Sequence, residues 1–527
     1  MFSLCSFSSN RPAMQGAVHF ILNREVVHSS LPPDTAALDY IRREKRLTGT
    51  KEACREGDCG ACAILLGELK EDQVEYRPVC SCLLPLGDLA GKHLITIEGL
   101  NPEENGKGKG LNPIQQALAD KGAIQCGFCT PGLVTAITGY FLNHPQLDYR
   151  EAVNSADGNI CRCTGYSSIK RALAYLIEEF VPLLKAPGDH LTKLVDLGLV
   201  PRYLLAMTDR LSRLNKNLQR ETVAGKIKSA VVVAGGTDLL VQQPELLIDK
   251  KIEFIFGNRE MAGIWRQNNR VYIGSGVTAG ELMESALLLE IFPRFPGYLK
   301  LVSSTLIRNR ATVGGNIMNA SPIGDLSVML LALDASLTLK SNRGGLRKLL
   351  LRDFFLDYKK VALRSNELIR QVDFPVSFKS GSRTGAVKGS ESRKPAGPLL
   401  STRQPLLFNF EKVSRRRYLD IAGVNSAISV KSDGQVLNEV HLSAGGVAPI
   451  PLYLSGSSKF LKGKRLSKEL LAELLKICIE EISPITDVRG TAQYKRLLLQ
   501  QLILAHFLVL FPNIITEELI GSMRKAQ

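Results

Sequence analysis

The 527 residues carry 67 Lys and Arg against 51 Asp and Glu, a net charge of +16, with 45% apolar and 22% charged residues. That length accommodates three or four domains, each with its own core. The apolar stretch 497–511 is interrupted by Gln500, Gln501 and His506, so it reads as a buried helix rather than a membrane span. The excess positive charge does not imply nucleic acid. Ten basic residues fall between Lys379 and Arg417, opposed only by Glu391 and Glu411, in a Ser/Gly/Pro-rich stretch without stacking aromatics before Phe408. The first thirteen residues lack the basic start and apolar centre of a secretory signal, and Met14 is a candidate start. Without an export signal the expected location is cytoplasmic. There the eleven cysteines favour metal binding over disulfides.

In chain order, 17–22 alternates like a strand, Asn23-Arg24 turns, 25–28 returns, and 35–43 has a helical pattern. Next come Cys54, Cys59 and Cys62, spaced C-x4-C-x2-C, with a further cysteine about twenty residues on. That is the spacing of a plant-type [2Fe–2S] loop. Gly57 and Gly60 allow the tight turns that aim backbone N–H groups at sulfur. Cys80 and Cys82 are both in range as fourth ligand. Cys82 is preferred because the apolar run Leu83-Leu84-Pro85-Leu86 follows it and would place it inside.

A second set of thiols lies in 125–166. Cys126 and Cys129 form a C-x-x-C, Cys161 and Cys163 a C-x-C, and 31 residues separate the pairs. Thr130-Pro131 reads as a helix start with Thr130 as N-cap, followed by Leu133, Val134, Ile137, Tyr140 and Phe141 at helical spacing. Ile169, Leu173, Leu176 and Phe180 stripe a second helix. Cysteine pairs at the ends of helices that pack together describe a metal site, an iron–sulfur cluster or a four-cysteine zinc.

Taken together, Lys51-Glu52, Gly57-Asp58-Cys59-Gly60-Ala61-Cys62, Cys126-Gly127-Phe128-Cys129-Thr130-Pro131-Gly132 and Cys161-Arg162-Cys163-Thr164-Gly165-Tyr166 resemble the xanthine dehydrogenase/oxidase family of molybdenum hydroxylases. One departure is Ala53, where the family commonly has Gly before the first cysteine. The resemblance implies a β-grasp ferredoxin domain followed by a four-helix domain. Cys54, Cys59, Cys62 and Cys82 would hold one [2Fe–2S] cluster, and Cys126, Cys129, Cys161 and Cys163 the other. The helical cluster would lie nearest the molybdenum cofactor, with Gln125 touching its pterin.

Further on, 181–200 contains Pro182, Pro187-Gly188 and Gly198 and reads as a linker. Residues 230–239 read as a buried strand entering a Gly235-Gly236 turn, whose consecutive N–H groups suit an anion. A second glycine-rich turn spans 307–317 and continues to Asp325. Neither is a G-x-G-x-x-G, so no Rossmann fold is expected. These segments resemble the same family's flavin domain. The resemblance implies FAD contacts from Val232, Val233, Ala234, Gly235, Gly236, Thr237 and Asp238, from Thr312, Gly315, Asn316 and Asp325, and from Lys412. The loop after Lys412 keeps only Asp420 where the family usually has two acidic residues.

The expected fold class is therefore multidomain α+β. It comprises a β-grasp [2Fe–2S] ferredoxin domain (14–100), a four-helix [2Fe–2S] domain (101–185), a linker (186–200), a vanillyl-alcohol-oxidase-type FAD domain (201–375), a basic insertion (376–405) and a flavoprotein C-terminal α+β domain (406–520). The resemblance implies the electron-transfer small subunit of a split, bacterial-type xanthine dehydrogenase. Two [2Fe–2S] clusters and FAD would pass electrons to NAD from a molybdopterin-bearing large subunit, in a heterodimer or heterotetramer. No catalytic residue for purine hydroxylation is assignable, and neither nucleic acid nor membrane is expected as a partner. The alternatives are the corresponding subunit of a hydroxylase for aldehydes or N-heterocycles, and a zinc-binding assembly protein.

Overall fold

The computed structural model describes residues 17–101, 103–104, 107–108, 110–221, 230–376 and 406–525. It is the multidomain α+β fold expected. The basic insertion, apart from Val376, and the candidate start at Met14 lie outside the described residues. The described residues fall into two compact units. The first holds those up to Phe256 together with Thr278–Gly280 and Ser303–Thr312. The second holds Gly257–Val277, Glu281–Val302 and those from Val313 on.

In the first unit, β1 (Val18–Leu22) and β2 (Glu25–Ser29) form the hairpin expected, turning at Asn23 with φ 52°. With β3 (Ala63–Lys70), β4 (Gln73–Cys80) and β5 (His93–Ile95) they make a five-stranded sheet in the order β2-β1-β5-β3-β4. The central β1–β5 pair is parallel, Ile21 opposite His93, and the other pairings are antiparallel. One face buries Phe20, Ile64 and Leu94 around Tyr40 and Ile41, which belong to the helical stretch 37–44. The other face buries Ile21, Leu65 and Ile95 against the helical part.

Helix Pro113–Asp120 opens on a reciprocal cap. The Asn112 side chain accepts from Gln115 N, and the Gln115 side chain accepts from Asn112 N, both at 2.9 Å. Helix Thr130–Asn143 starts one residue earlier than its sequence suggests. Cys129, not Thr130, is the N-cap, so Thr130 is the first helical residue and Pro131 the second. The expected apolar stripes of this helix and of Ser167–Leu184 are all buried in one core. The stretch read as a linker is mostly structured. Asp189 caps a helix, His190–Asp196, by accepting from Thr192 N at 2.8 Å, and Leu184, Leu194, Leu199 and Val200 are buried in the same core. Leu211 and Leu214 of helix Met207–Glu221 join it. Prolines and glycines marked the turns there, but the leucines between them decided the packing.

His93 is fully buried, bonded to Tyr76 Oη at 2.8 Å and Asn23 O at 2.7 Å, and burial lowers its pKa to about 4. An unfolded histidine titrates near 6.5. On acidification the unfolded chain therefore takes up the proton first, and this contribution to stability is lost as pH falls from about 6.5 towards about 4. At pH 5 the expected loss is about 2 kcal/mol relative to pH 7. Urea midpoints at the two pH values should differ less in His93→Gln than in the parent chain.

Among its described residues the second unit has a small two-stranded sheet, Phe355–Asp357 with Lys360–Val361, and two five-stranded ones. One runs in the order Ile264–Gln267, Arg270–Gly274, Glu367–Pro375, Ser336–Ser341, Leu346–Leu350, with neighbours antiparallel. The other aligns Leu406–Val413, Val424–Ser432, Val436–Gly445 and Leu452–Tyr453. Helices Lys468–Glu480 and Ala492–Leu510 supply Leu471, Leu475, Ile503 and Phe507 to the core of this second sheet. Among the described residues no helix is long and apolar enough to cross a membrane.

Candidate iron–sulfur and flavin sites

The first thiol loop closes between β3, β4 and the turn after β4. Gly57 and Gly60 take φ of +80° and +67°, as the tight wrapping required. Cys54 and Cys59 bring their sulfurs to 3.2 Å, and Cys62 and Cys82 to 3.4 Å. Two thiolates on one tetrahedral metal, each about 2.3 Å from it, lie about 3.8 Å apart. The four sulfurs thus fall into two pairs, each the right size for one metal. A donor set of paired thiols fits two bridged irons better than one zinc held by four equivalent sulfurs.

The backbone supports this. Glu56 N donates to Cys54 Sγ at 3.4 Å. The Cys59 thiol and the N–H groups of Glu56, Asp58 and Cys59 lower the Cys54 pKa to about 6, against burial. Cys80 and Cys82 are both buried. Cys80 directs its thiol to Gly57 O at 3.9 Å and is also within hydrogen-bond reach of Cys62 and Cys82, which with burial raise its pKa. Cys82 is raised by Cys62 and lies in electrostatic reach of Cys54 too, so it faces both members of the loop.

The second set is also paired. Cys126 and Cys163 lie 3.6 Å apart, and Cys129 is within hydrogen-bond reach of Cys161. Cys126 and Cys163 are exposed while Cys161 is buried. The exposed rim includes Ile124, Gln125, Phe128, Ile160 and Tyr166. The buried oxygens Thr50 Oγ1, Thr130 Oγ1 and Asn159 Oδ1, all in or beside the thiol loops, have no partner in the protein. Hydroxyls so placed can donate to sulfur.

The two loops touch. Ile160 N donates to Cys59 O at 3.0 Å, and Asn159 Nδ2 donates to Gly60 O at 3.0 Å. Gly132 is needed at the same point, because a Cβ there would meet Gly60 O at 2.3 Å. Sequence reading missed Asn159. A lone Asn among turn residues carries no spacing signal.

The residues expected at the flavin fall in both units. In the first, the strand is shorter than expected, Val231–Val233, paired in parallel with Ile252–Phe254, and only Val233 is buried. Ala234 leads into the turn, where Gly236 takes φ +76°. Gly235 is required by the chain itself, since a Cβ would meet Arg310 O at 1.9 Å. Asp238 Oδ1 accepts from Gln242 at 3.1 Å, and Thr237 is half-buried. Thr312 is buried and bridges to Thr278. In the second unit, Gly315 and Asn316 lie on helix Val313–Asn319, and Asn316 Oδ1 accepts from Ser327 Oγ at 3.1 Å. Asp325 accepts from Lys412 Nζ at 2.8 Å and from Asn425 Nδ2 at 2.5 Å, and Lys412 also donates to Leu301 O at 2.7 Å. Asn425 was not anticipated. Its buried Oδ1 has no partner in the protein and can accept from an N–H or O–H donor beside Asp325. A polar cradle of this kind fits a ribityl or ring edge.

Paired thiols in two loops and a glycine turn in the first unit, and a glycine turn with a Lys–Asp–Asn set in the second, define an iron–sulfur flavoprotein architecture. Four family models match in tandem. They are a 2Fe-2S iron–sulfur cluster binding domain at 20–86, a [2Fe-2S] binding domain at 96–174, an FAD binding domain in molybdopterin dehydrogenase at 216–377, and a CO dehydrogenase flavoprotein C-terminal domain at 409–509. The chain is similar to aldehyde oxidase 1 of Cavia porcellus, 26% identical over 93% of this chain and 39% of that protein. It is also similar to xanthine dehydrogenase 1 of Arabidopsis thaliana, 28% identical over 86% of this chain and 36% of that protein. It thus spans about two fifths of the length of these relatives. A solved carbon monoxide dehydrogenase chain from Hydrogenophaga pseudoflava is 24% identical over 52% of this chain and 86% of its own, with a TM-score of 0.44. The four models together are those of iron–sulfur and flavin-binding domains, in the order in which the two thiol loops and the glycine turns follow along the chain.

Proposed function

We propose that the chain is the electron-transfer subunit of a molybdenum hydroxylase, and specifically of an NAD-dependent xanthine dehydrogenase of the split type. Electrons from purine oxidation at a molybdopterin centre on a partner polypeptide would enter at the helical cluster, cross to the ferredoxin cluster and leave through FAD to NAD. Cys126, Cys129, Cys161 and Cys163 would hold the first centre in that line, and Cys54, Cys59, Cys62 and Cys82 the second. The glycine turns at 235–236 and 314–315, with Val232, Val233, Ala234, Thr237, Asp238, Thr312, Asn316, Asp325 and Lys412, would hold FAD. The observation that carries the reading is the direct contact of two paired-thiol loops through Ile160 N and Cys59 O. Such clusters pass single electrons, whereas a flavin collects two and can release a hydride. The exposed rim around Gln125 and Phe128 supports entry at the helical cluster. Similarity to an aldehyde oxidase at nearly the same identity favours, as second reading, the same role beside an aldehyde-oxidising partner.

Anaerobic spectroscopy tests this. NADH added to the isolated chain should bleach flavin and clusters, whereas xanthine should bleach nothing until a molybdenum-bearing partner is present. Gln125→Ala should then slow bleaching by xanthine and spare that by NADH. Xanthine turnover by the lone chain, or no response to NADH, overturns the proposal. An aldehyde replacing xanthine selects the second reading.

A further inference from the structure

The segment 303–312 has a second role that its resemblance to a flavin turn does not anticipate. Three consecutive side chains, all within the first unit, leave it for three different anchors. Arg308 Nη2 donates to Asp157 Oδ2 at 2.6 Å and to Thr305 Oγ1 at 2.8 Å, and its Nη1 donates to Ser303 O at 2.9 Å. Asn309 Nδ2 donates to Pro78 O at 2.8 Å. Arg310 pairs with Asp88, and its guanidinium lies 3.6 Å over the Phe256 ring. All three side chains are buried, as is Asp88. Long cationic side chains lose much freedom and hydration when held so, and a buried pair specifies position better than it stabilises.

The anchors are next to the cluster ligands. Asp157 lies four residues before Cys161, Pro78 four before Cys82, and Asp88 six after Cys82. On the same segment, Leu306 is buried with Cys62, Cys80, Cys82 and Leu83, and Ile307 packs on that group. A Cβ on Gly57 would meet Ile307 Cδ1 at 2.5 Å. At its other end the segment sets the Gly235 turn, through Arg310 O at the Gly235 Cβ position and Arg310 Nη2 at 3.4 Å from Gly235 O. One short segment therefore forms a wall of the ferredoxin-type loop and the floor of the glycine turn.

We propose that Arg308, Asn309 and Arg310 are positioning residues for electron transfer, stapling the glycine turn of the flavin site to both thiol loops and so fixing the gap between FAD and the first-loop cluster. The inference rests on the proposed function. Transfer between fixed centres falls off steeply with the gap, so a small slip of Ile307 from Gly57 and Leu83 is enough to slow it. In the forward direction two electrons cross singly from reduced cluster to FAD, which takes two protons from water.

The test runs one electron in reverse and does not depend on NADH. In the purified full chain with iron and FAD bound, a light pulse with a sacrificial amine donor reduces the flavin. The amine loses one electron, and the flavin passes it to an oxidised cluster, Fe(III) to Fe(II). Arg310→Gln leaves Asp88 paired to Lys92 at 3.1 Å, so the anchor keeps a cation. It should slow flavin-to-cluster transfer about tenfold or more, with iron and FAD contents unchanged. Arg310→Lys should restore most of the rate. Hydrogen exchange of the 307–312 amides should quicken in Arg310→Gln. Parent-rate transfer in that variant overturns the inference, and FAD loss with iron retained makes Arg310 a flavin ligand instead. If Arg310→Gln does not fold, Asn309→Ala removes one neutral hydrogen bond and is read the same way, with parent rates again overturning it. A parent chain that binds neither iron nor FAD overturns the proposed function itself.

Discussion

Replacing Cys82 by Ser should cut the iron bound by the chain from about four atoms to about two and remove one of two cluster signals from the electron paramagnetic resonance spectrum. Cys80→Ser should leave both. The geometry gives the reason. Cys82 Sγ is 3.4 Å from Cys62 Sγ and within electrostatic reach of Cys54, whereas the Cys80 thiol, also within reach of Cys62, is directed to Gly57 O. A serine at 80 replaces a buried thiol by a smaller hydroxyl and costs stability. A serine at 82 removes a thiolate from a metal. The reverse pattern of iron loss would assign the fourth ligand to Cys80.

A comparably large effect is expected of Gly60→Ala. Gly60 has φ +67°, which alone costs an L-residue about 1–2 kcal/mol. Its Cβ would also meet Gly158 O at 2.3 Å and Asn159 Cα at 2.9 Å. Those obstacles are main chain of the other thiol loop, so neither side can yield without moving ligands. Both clusters should be lost or poorly occupied. Gly122→Ala is the control, because Gly122 has the same φ of +67° but nothing within 4 Å of the added carbon. It should lower the thermal midpoint slightly and keep its iron. Equal iron loss in both variants would show that strain rather than collision is at work.

The cysteine ligands were legible because metal chemistry constrains their spacing along the chain, and the hairpin at 18–29 because alternation and a turn are local signals. The stripes of Thr130–Asn143 and Ser167–Leu184 were legible for the same reason. The division of the sulfurs into Cys54 with Cys59 and Cys62 with Cys82 was not, since spacing names donors without saying which of them meet. Arg308, Asn309 and Arg310 were unreadable in a stronger sense. Their partners are 151, 231 and 222 residues away, and arginines in a glycine-rich turn look solvated or phosphate-seeking. Asn425 is a polar residue in a strand and announces nothing before its neighbours Asp325 and Lys412 are in place.

The staple also bears on why one polypeptide is useful here. Its contacts are few: two ion pairs, a handful of hydrogen bonds, Arg310 over the Phe256 ring and the packing of Leu306 and Ile307. Between separate molecules so small a set would hold poorly, because association must first offset several kcal/mol of lost translational and rotational freedom. On one chain the same contacts close a ring, and a connection about one and a half times longer adds only a few tenths of a kcal/mol to closure. The tether supplies an effective concentration of the millimolar order, with no new contact. A loop between the iron–sulfur part and Ser303 can thus lengthen at little energetic cost so long as the Gly235 turn and the paired strands keep their places, whereas 303–312 cannot.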